Sequence, residues 1–430
     1  MASSWQVAAR DPRTFQTRSL TQRRPLPQHW WCLHRVGKPD LHSSGWRKVQ
    51  MALKTAPMTE QLELFGCIQC GKCTGGCPVA RKTVLNVRSL IYHMLVEPEL
   101  EVNAHPELWD CTCCFTCVER CPKDVRPAEL IIGLRGQLVE SGRIPETVGA
   151  ALMGIFRQGN PTGIAREDRA AWVNGTSVKA AQKGCEMLYF VGCIPAYDPR
   201  VQVVPRALVR AFAAAGLDFG TLGTEESCCG SEVRRMGEVG LFEMLVEENG
   251  ELIRSVGASQ LVTTSPHCFN TFRNEYRLDG IEVLHYTQLI AALLEQGQLK
   301  FSTPPLPPPI GGGVTVTYHD PCFLGKQNHI FDEPRAILKA IPGVKLVEMD
   351  RNRERSLCCE GGGGRMWVEG TNLEERLAFQ RVHEAAETGA EILAVACPFC
   401  LLTLEDAVKV EGLDGRLQVM DIMELVSLAI

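Results

Sequence analysis

The sequence predicts an α/β protein in which a helical N-terminal module precedes two tandem α/β repeats with parallel sheets. Three observations predict it. The 430 residues include 20 cysteines, gathered in blocks at 67–121, 193–268 and 322–400. The second and third blocks run through the same order of strand-like and helix-like segments. The stretch PPLPPPIGGG, 304–313, separates those two blocks as a Pro/Gly linker.

The chain is long enough for two or three domains, and 45% apolar residues can bury a sizeable core. A formal net charge of -5 argues against nucleic acid and against an anionic membrane surface as partners. No run of 18 apolar residues is present, so no spanning helix is expected. With no signal peptide, so many cysteines indicate metal or redox chemistry rather than a disulfide framework. The expected location is cytoplasmic, or peripheral to the inner face of a membrane through a partner. The first 50 residues carry nine Lys/Arg against Asp11 and Asp40 and show no periodicity. Residues 1–58 therefore read as a disordered basic extension, or as translation from upstream of a start at Met51 or Met58.

Block one holds two copies of one motif. CIQCGKCTGGCP places Cys67, Cys70, Cys73 and Cys77 before Pro78, and CTCCFTCVERCP places Cys111, Cys114, Cys117 and Cys121 before Pro122. This is the bacterial two-cluster ferredoxin spacing: one turn aims three thiolates at one cube, and the fourth completes its neighbour. Cys67, Cys70, Cys73 and Cys121 are assigned to one [4Fe–4S] cluster, and Cys77, Cys111, Cys114 and Cys117 to the other. Two closed zinc sites are the alternative, but the terminal prolines and the duplication favour iron–sulfur. Cys113 is left over as a buried bystander. VLNVRSLIYHMLVE, between the runs, is helical by period, so 59–140 is a helical two-cluster module. Residues 141–184 form a helical linker.

Each repeat, 185–303 and 314–430, opens with a strand-like run ending at a cysteine: EMLYFVGC at Cys193 and VTVTYHDPC at Cys322. A helical pattern follows (RALVRAFAAAG, PRAILKAI), then a cysteine pair, Cys228-Cys229 or Cys358-Cys359. Thirty-four residues separate Cys193 from Cys228, and 35 separate Cys322 from Cys358. QLVTTSPHC matches EILAVACPFC, and each repeat closes with strand plus helix. Strand alternating with helix implies parallel layers, with the cysteines meeting at one sheet edge where such folds bind ligands.

In the last repeat Cys322, Cys358, Cys359, Cys397 and Cys400 supply five thiols, one more than a cubane uses. The glycines of CCEGGGG, 361–364, are expected to let backbone approach a cluster and offer it N–H groups. Arg351, Arg353, Arg355 and Arg365 either offset thiolate charge or form a solvated face. A vicinal disulfide would explain neither the duplicate pair nor the distant cysteines. His267 and His319, beside ligand cysteines, are expected to bond local backbone. Cys32 and Cys185 have no assigned role.

One cysteine, a Cys-Cys pair, then CxxC, given twice behind a two-cluster module, resembles the catalytic subunits of heterodisulfide reductases of the fused D-subunit type, over about 60–430. The pattern is similar also to iron–sulfur subunits of glycolate, lactate and glycerol-3-phosphate oxidation systems. The resemblance implies Rossmann-like cysteine-rich domains, with a noncubane [4Fe–4S] cluster that cleaves disulfides as the catalytic site at Cys322, Cys358, Cys359, Cys397 and Cys400. Two positions depart from the pattern. Ser265 stands where the first cysteine of CxxC belongs, leaving Cys193, Cys228, Cys229 and Cys268 as an altered or vestigial site, since serine is a poor donor here. Glu360 stands where the motif has glycine, and by default is a surface residue.

The expected activity is that of an oxidoreductase subunit relaying electrons through two cubanes to the third cluster for disulfide/thiol chemistry. The alternative is a non-catalytic conduit between a flavoprotein dehydrogenase or electron-transfer flavoprotein and quinone or a membrane cytochrome. No G-x-G-x-x-G follows a strand, so FAD is expected on a partner subunit.

Overall fold

Each repeat forms a four-stranded parallel sheet. β1 (Met187–Phe190), β2 (Phe219–Gly220), β3 (Gln260–Thr263) and β4 (Glu282–His285) lie in the order β2-β1-β3-β4. β5 (Val314–Tyr318), β6 (Val344–Val347), β7 (Ile392–Val395) and β8 (Gln418–Asp421) lie in the order β6-β5-β7-β8. Every residue of β1 (MLYF) and β7 (ILAV) is buried. Strands covered by helices on both faces carry such continuous apolar runs. Leu188 pairs with Leu261 in the first sheet, and Thr317 with Leu393 in the second.

These features come from a computed structural model, which describes residues 58–96, 106–174, 176, 178–302, 313–372 and 375–430. The expected extension up to residue 57, with Cys32 and Met51, and the linker residues 304–312 lie outside the described residues. Pro57–Ile430 form one unit.

Among the described residues three helices of ten or more residues precede the first repeat: α1 (Val87–Val96), α2 (Pro127–Glu140) and α3 (Glu146–Gln158). The first repeat adds α4 (Val203–Ala214), α5 (Val239–Val256), α6 (Pro266–Asn274) and α7 (Tyr286–Glu295). The second adds α8 (Asp332–Ala340), α9 (Leu377–Glu387), α10 (Pro398–Val410) and α11 (Ile422–Ala429). At matching strand ends His285 caps α7 and Asp421 caps α11, each within a reciprocal capping box.

The repeats pack with the first helix of one against the last helix of the other, α4 on α11 and α7 on α8. Phe212, Ile290, Ile337 and Val426 are all fully buried in the core they share. Arg200 crosses this boundary to Glu405 and Glu424, and Tyr286 donates to Asp421 at 2.8 Å.

Both sheets reverse strand order beside their first strand, between β1 and β3 and between β5 and β7. The loops leaving the carboxyl ends of β1, β3, β5 and β7 carry Cys193, Ser265, Cys322 and Cys397, as expected for a ligand edge. The edge strands β2 and β6 are additions to the sequence reading. One is two residues long, and the other is at best half-buried, so neither carries a clear apolar run.

Candidate functional site

The two cysteine runs share one backbone shape. Gln69 and Gly71 in the first run have φ of 56° and 75°, and Cys113 and Phe115 in the second have 48° and 62°. Both pairs fall two and four residues after the leading cysteine. Left-handed residues curl the chain so that N–H groups converge. The amides of Gln69 and Cys113 donate to Cys67 Sγ and Cys111 Sγ, each at 3.4 Å. Cys113 is fully buried, as expected, and its place in this turn explains why it interrupts the spacing.

Cys67, Cys70, Cys73 and Cys121 line one surface cavity of about 350 Å³. Cys70 is exposed there. The other four thiols are buried. Burial, then the charge of Cys114, pushes the Cys77 thiol up to about 11. Burial, then Cys114, Cys77 and Cys73, drives Cys117 well above the ordinary thiol range, so the two sets adjoin.

All five thiols of the last repeat come together. Cys322 meets Cys358, which meets Cys359. Cys359 Sγ lies 3.2 Å from Cys400 Sγ, and Cys400 meets Cys397. Cys358 also lies beside Cys114 of the N-terminal module. No disulfide is present among the described residues, so Cys358 and Cys359 are not a vicinal pair of that kind.

The donor sets fit iron–sulfur clusters. Buried thiols in mutual contact cannot all ionise in a low dielectric. Contact with Cys358 and burial hold Cys322 well above the ordinary range, whereas Cys358 and Cys400 drop Cys359 well below it. Soft cations would hold the whole set as thiolates and release protons on binding.

Two histidines act across the fold rather than on local backbone. His267, from the first repeat, shares a 2.8 Å bond between its Nδ1 and Glu232 and contacts Cys397 of the second. Its ring stacks on Phe323, with centroids 4.0 Å apart. Burial opposes its protonation, but Cys397 and Glu232 outweigh that and raise its pKa to about 10. Burial likewise opposes ionisation of Cys397, yet Cys400 and His267 bring that thiol down to about 5. His319 Nδ1 accepts from Arg381 Nε at 3.0 Å, and the ring stands beside Cys359 and Cys400 as a third donor. A single sequence offers no signal for either reach, because the partners lie 35 or more positions away.

The glycine run serves close packing more than the sulfurs. Only Gly361 donates to a thiol, Cys359 Sγ at 3.4 Å, while Gly364 N donates to Glu232 at 2.7 Å. A Cβ on Gly362 would sit 2.7 Å from the His267 ring, and one on Gly363 would overlap the Thr112 carbonyl carbon. The run, like Gly136 against Gly237, is a place where module and repeats touch backbone to backbone. Glu360 is half-buried rather than on the surface, pairs with Arg376, and has φ 64°, the left-handed geometry that a glycine there suits. The flanking arginines spend themselves away from the thiols: Arg351 on Glu384, Arg353 on Asp332, and Arg355 and Arg365 on the carbonyls of Asp350 and Val368.

In the first repeat Cys193, Cys228, Cys229 and Cys268 form one chain of contacts. Ser265 stays out of it. Its side chain caps α6, accepting from the His267 amide at 3.2 Å. Cys397, in the same place on α10, makes no cap bond and keeps its sulfur in the set. Cys185 donates to Met187 O and joins no set.

Residues 63–125 match the 4Fe-4S dicluster domain family, and residues 187–273 and 316–405 each match the cysteine-rich domain family. The chain is 31% identical to the EtfAB:quinone oxidoreductase of Syntrophomonas wolfei, over 90% of this chain and 60% of that protein. It is 32% identical to the D subunit of the dihydromethanophenazine:CoB–CoM heterodisulfide reductase of Methanosarcina barkeri, over 88% of this chain and 96% of that one. The chain thus spans about 60% of the length of the first of these relatives and nearly all of the second. A hypothetical protein from Helicobacter pylori shares the fold at a TM-score of 0.52 and 12% identity, over 89% of this chain and 75% of that one. No helix among the described residues is long and apolar enough to cross a membrane. A dicluster module with left-handed cysteine turns, two cysteine-rich repeats and near-complete coverage of such a relative together identify the chain: it belongs to the heterodisulfide reductase D-subunit family of [4Fe–4S] oxidoreductase proteins.

Proposed function

We propose that the chain relays single electrons between a surface cluster and a terminal cluster in the last repeat, where thiol/disulfide redox chemistry occurs. The observation behind this reading is a sequence of sulfurs each within electrostatic reach of the next. It runs from the exposed cavity through Cys73, Cys117 and Cys114 to Cys358, Cys359 and Cys400. Cys67, Cys70, Cys73 and Cys121 would hold the first cluster. Cys77, Cys111, Cys114 and Cys117 would hold the second. Cys322, Cys358, Cys359, Cys397 and Cys400 would hold the third, and the bounds 59–140, 185–303 and 314–430 would divide the roles. When bound, the clusters supply one-electron transfer. The protein's part is to keep consecutive sulfur sets close together and to bury most of the inner thiols.

A second reading is favoured by burial: Cys358, Cys359, Cys397 and Cys400 are each at most 4% exposed. With only Cys322 of the five half-buried, a site this enclosed suits a conduit that passes electrons from a flavoprotein towards quinone, in keeping with the name of the Syntrophomonas relative. In both readings any FAD belongs to a partner. EPR of the anaerobic full chain under thiol titration separates them. A third-site signal that changes with added dithiol supports thiol chemistry. Full iron and sulfide with every signal blind to thiol supports the conduit, and zinc in place of iron would overturn both.

A further inference from the structure

Two fully buried cations flank the second thiol set, and neither has a carboxylate partner among the described residues. Arg135, on α2, has 0% exposure. Its guanidinium donates to the carbonyls of Leu108, Cys111, Arg235 and Gly363 and to Cys113 Sγ, with the Trp109 ring 5.0 Å away. The Cys113 amide in turn donates to Cys111 Sγ at 3.4 Å. Asp110, which adjoins Cys111 in sequence, is occupied by Thr371, whose amide and hydroxyl donate to it. Lys326, 3% exposed, approaches from the last repeat. Its Nζ donates to Ser356 O at 2.6 Å and to Thr116 Oγ1 at 2.9 Å, and that hydroxyl lies 3.3 Å from Cys114 Sγ.

A buried charge without a counter-ion is costly, and carbonyl dipoles recover only part of that cost. Both cations stand one group away from a thiol of the second set, Arg135 through Cys113 and Lys326 through Thr116. The cations lining the first cavity, Lys72, Arg88 and Lys123, are exposed, and water and salt screen them. A cluster with four thiolates carries net negative charge, and a fixed cation in a low dielectric favours the more reduced, more negative form.

We infer that Arg135 and Lys326 are the fixed counter-charges of the second cluster site and set its midpoint potential above that of the first. An electron arriving at the surface is then drawn inward, towards Cys358. This inference rests on the relay reading, in which the second set holds a cluster.

The test is an EPR-monitored redox titration of the anaerobic full chain, with iron counts on each variant. Lys326→Gln and Arg135→Gln lower the midpoint of one cluster signal and leave the surface cluster's midpoint where it was. Lys326→Arg and Arg135→Lys, which keep the charge, restore it. Loss of that one cluster in the Gln variants but not in the charge-keeping ones supports the same conclusion. Full iron with unmoved midpoints overturns it and makes both cations mechanical ties. Equal loss of iron in the Gln and charge-keeping variants also overturns it, since shape rather than charge would then matter. If Cys114→Ser leaves the iron count unchanged, the relay reading itself has failed, and this inference with it.

Discussion

The two cysteine-rich repeats share a sheet order, a cysteine pair and a helix cap position, yet they differ at the two places where a metal site is most exacting. At the helix start after the third strand, Ser265 in one repeat binds the backbone of α6, while Cys397 in the other gives up that cap to join its thiols. After the cysteine pair, Gly230 has φ 82° and Glu360 φ 64°, so one loop shape is kept by two residues of very different ease in it. The difference teaches that one repeat keeps a helix cap and lends side chains to the other's thiols. Its His267 and Glu232 reach over to Cys397 and to the glycine run. With serine at the fifth position that repeat has four soft donors and a helix better capped by about 1 kcal/mol.

The comparison breaks most decisively at the pairs. Cys359→Ala is expected to remove the iron of the third site while both dicluster signals persist. Cys229→Ala is expected to leave those three untouched, and any iron it removes counts a separate fourth site. Iron quantification with EPR reads both, and loss of all signals together from Cys359→Ala would contradict the separation of the sites. A middle-sized effect comes from exchanging the helix starts. Ser265→Cys should add a fifth thiol to the first set at a stability loss of about 1 kcal/mol from the missing cap. A thermal unfolding midpoint that does not fall would show that Ser265 is not holding α6. The smallest effect is at the loop. Glu360→Gly should relieve about 1 kcal/mol of left-handed strain, offset in part by the lost ion pair with Arg376. Gly230→Ala should cost about 1–3 kcal/mol, since its Cβ would lie 2.7 Å from the Phe242 ring. Denaturant titrations of the two variants should move in opposite directions.

Much of this was legible in the chain. Cysteines three residues apart can meet only through a local turn, so both four-cysteine runs could be read without a fold. Apolar runs such as MLYF and ILAV announce buried parallel strands, and the repeated order placed the remaining cysteines at one sheet edge. The readings that went astray concern side chains with distant partners. Of the glycines, Gly361 does offer its N–H to Cys359, but Gly362, Gly363 and Gly364 have His267, Thr112 and Met236 of other segments as neighbours. The arginines around the pair could be read as charge compensation or as a solvated face, and they bond away from the thiols, whereas Arg135 and Lys326, which flank the second thiol set, lie in other segments.

By itself the sequence determined which thiols exist, their local spacing and the α/β order that carries them, because turns, helices and strands are set by residues within a few positions of one another. Only the tertiary structure decided that Cys114 meets Cys358, that a histidine of one repeat serves the other's sulfur set, and that two cations are enclosed between them. Those are encounters between surfaces, and close packing of separate segments, not any local rule of chain geometry, selects which side chains share a buried space.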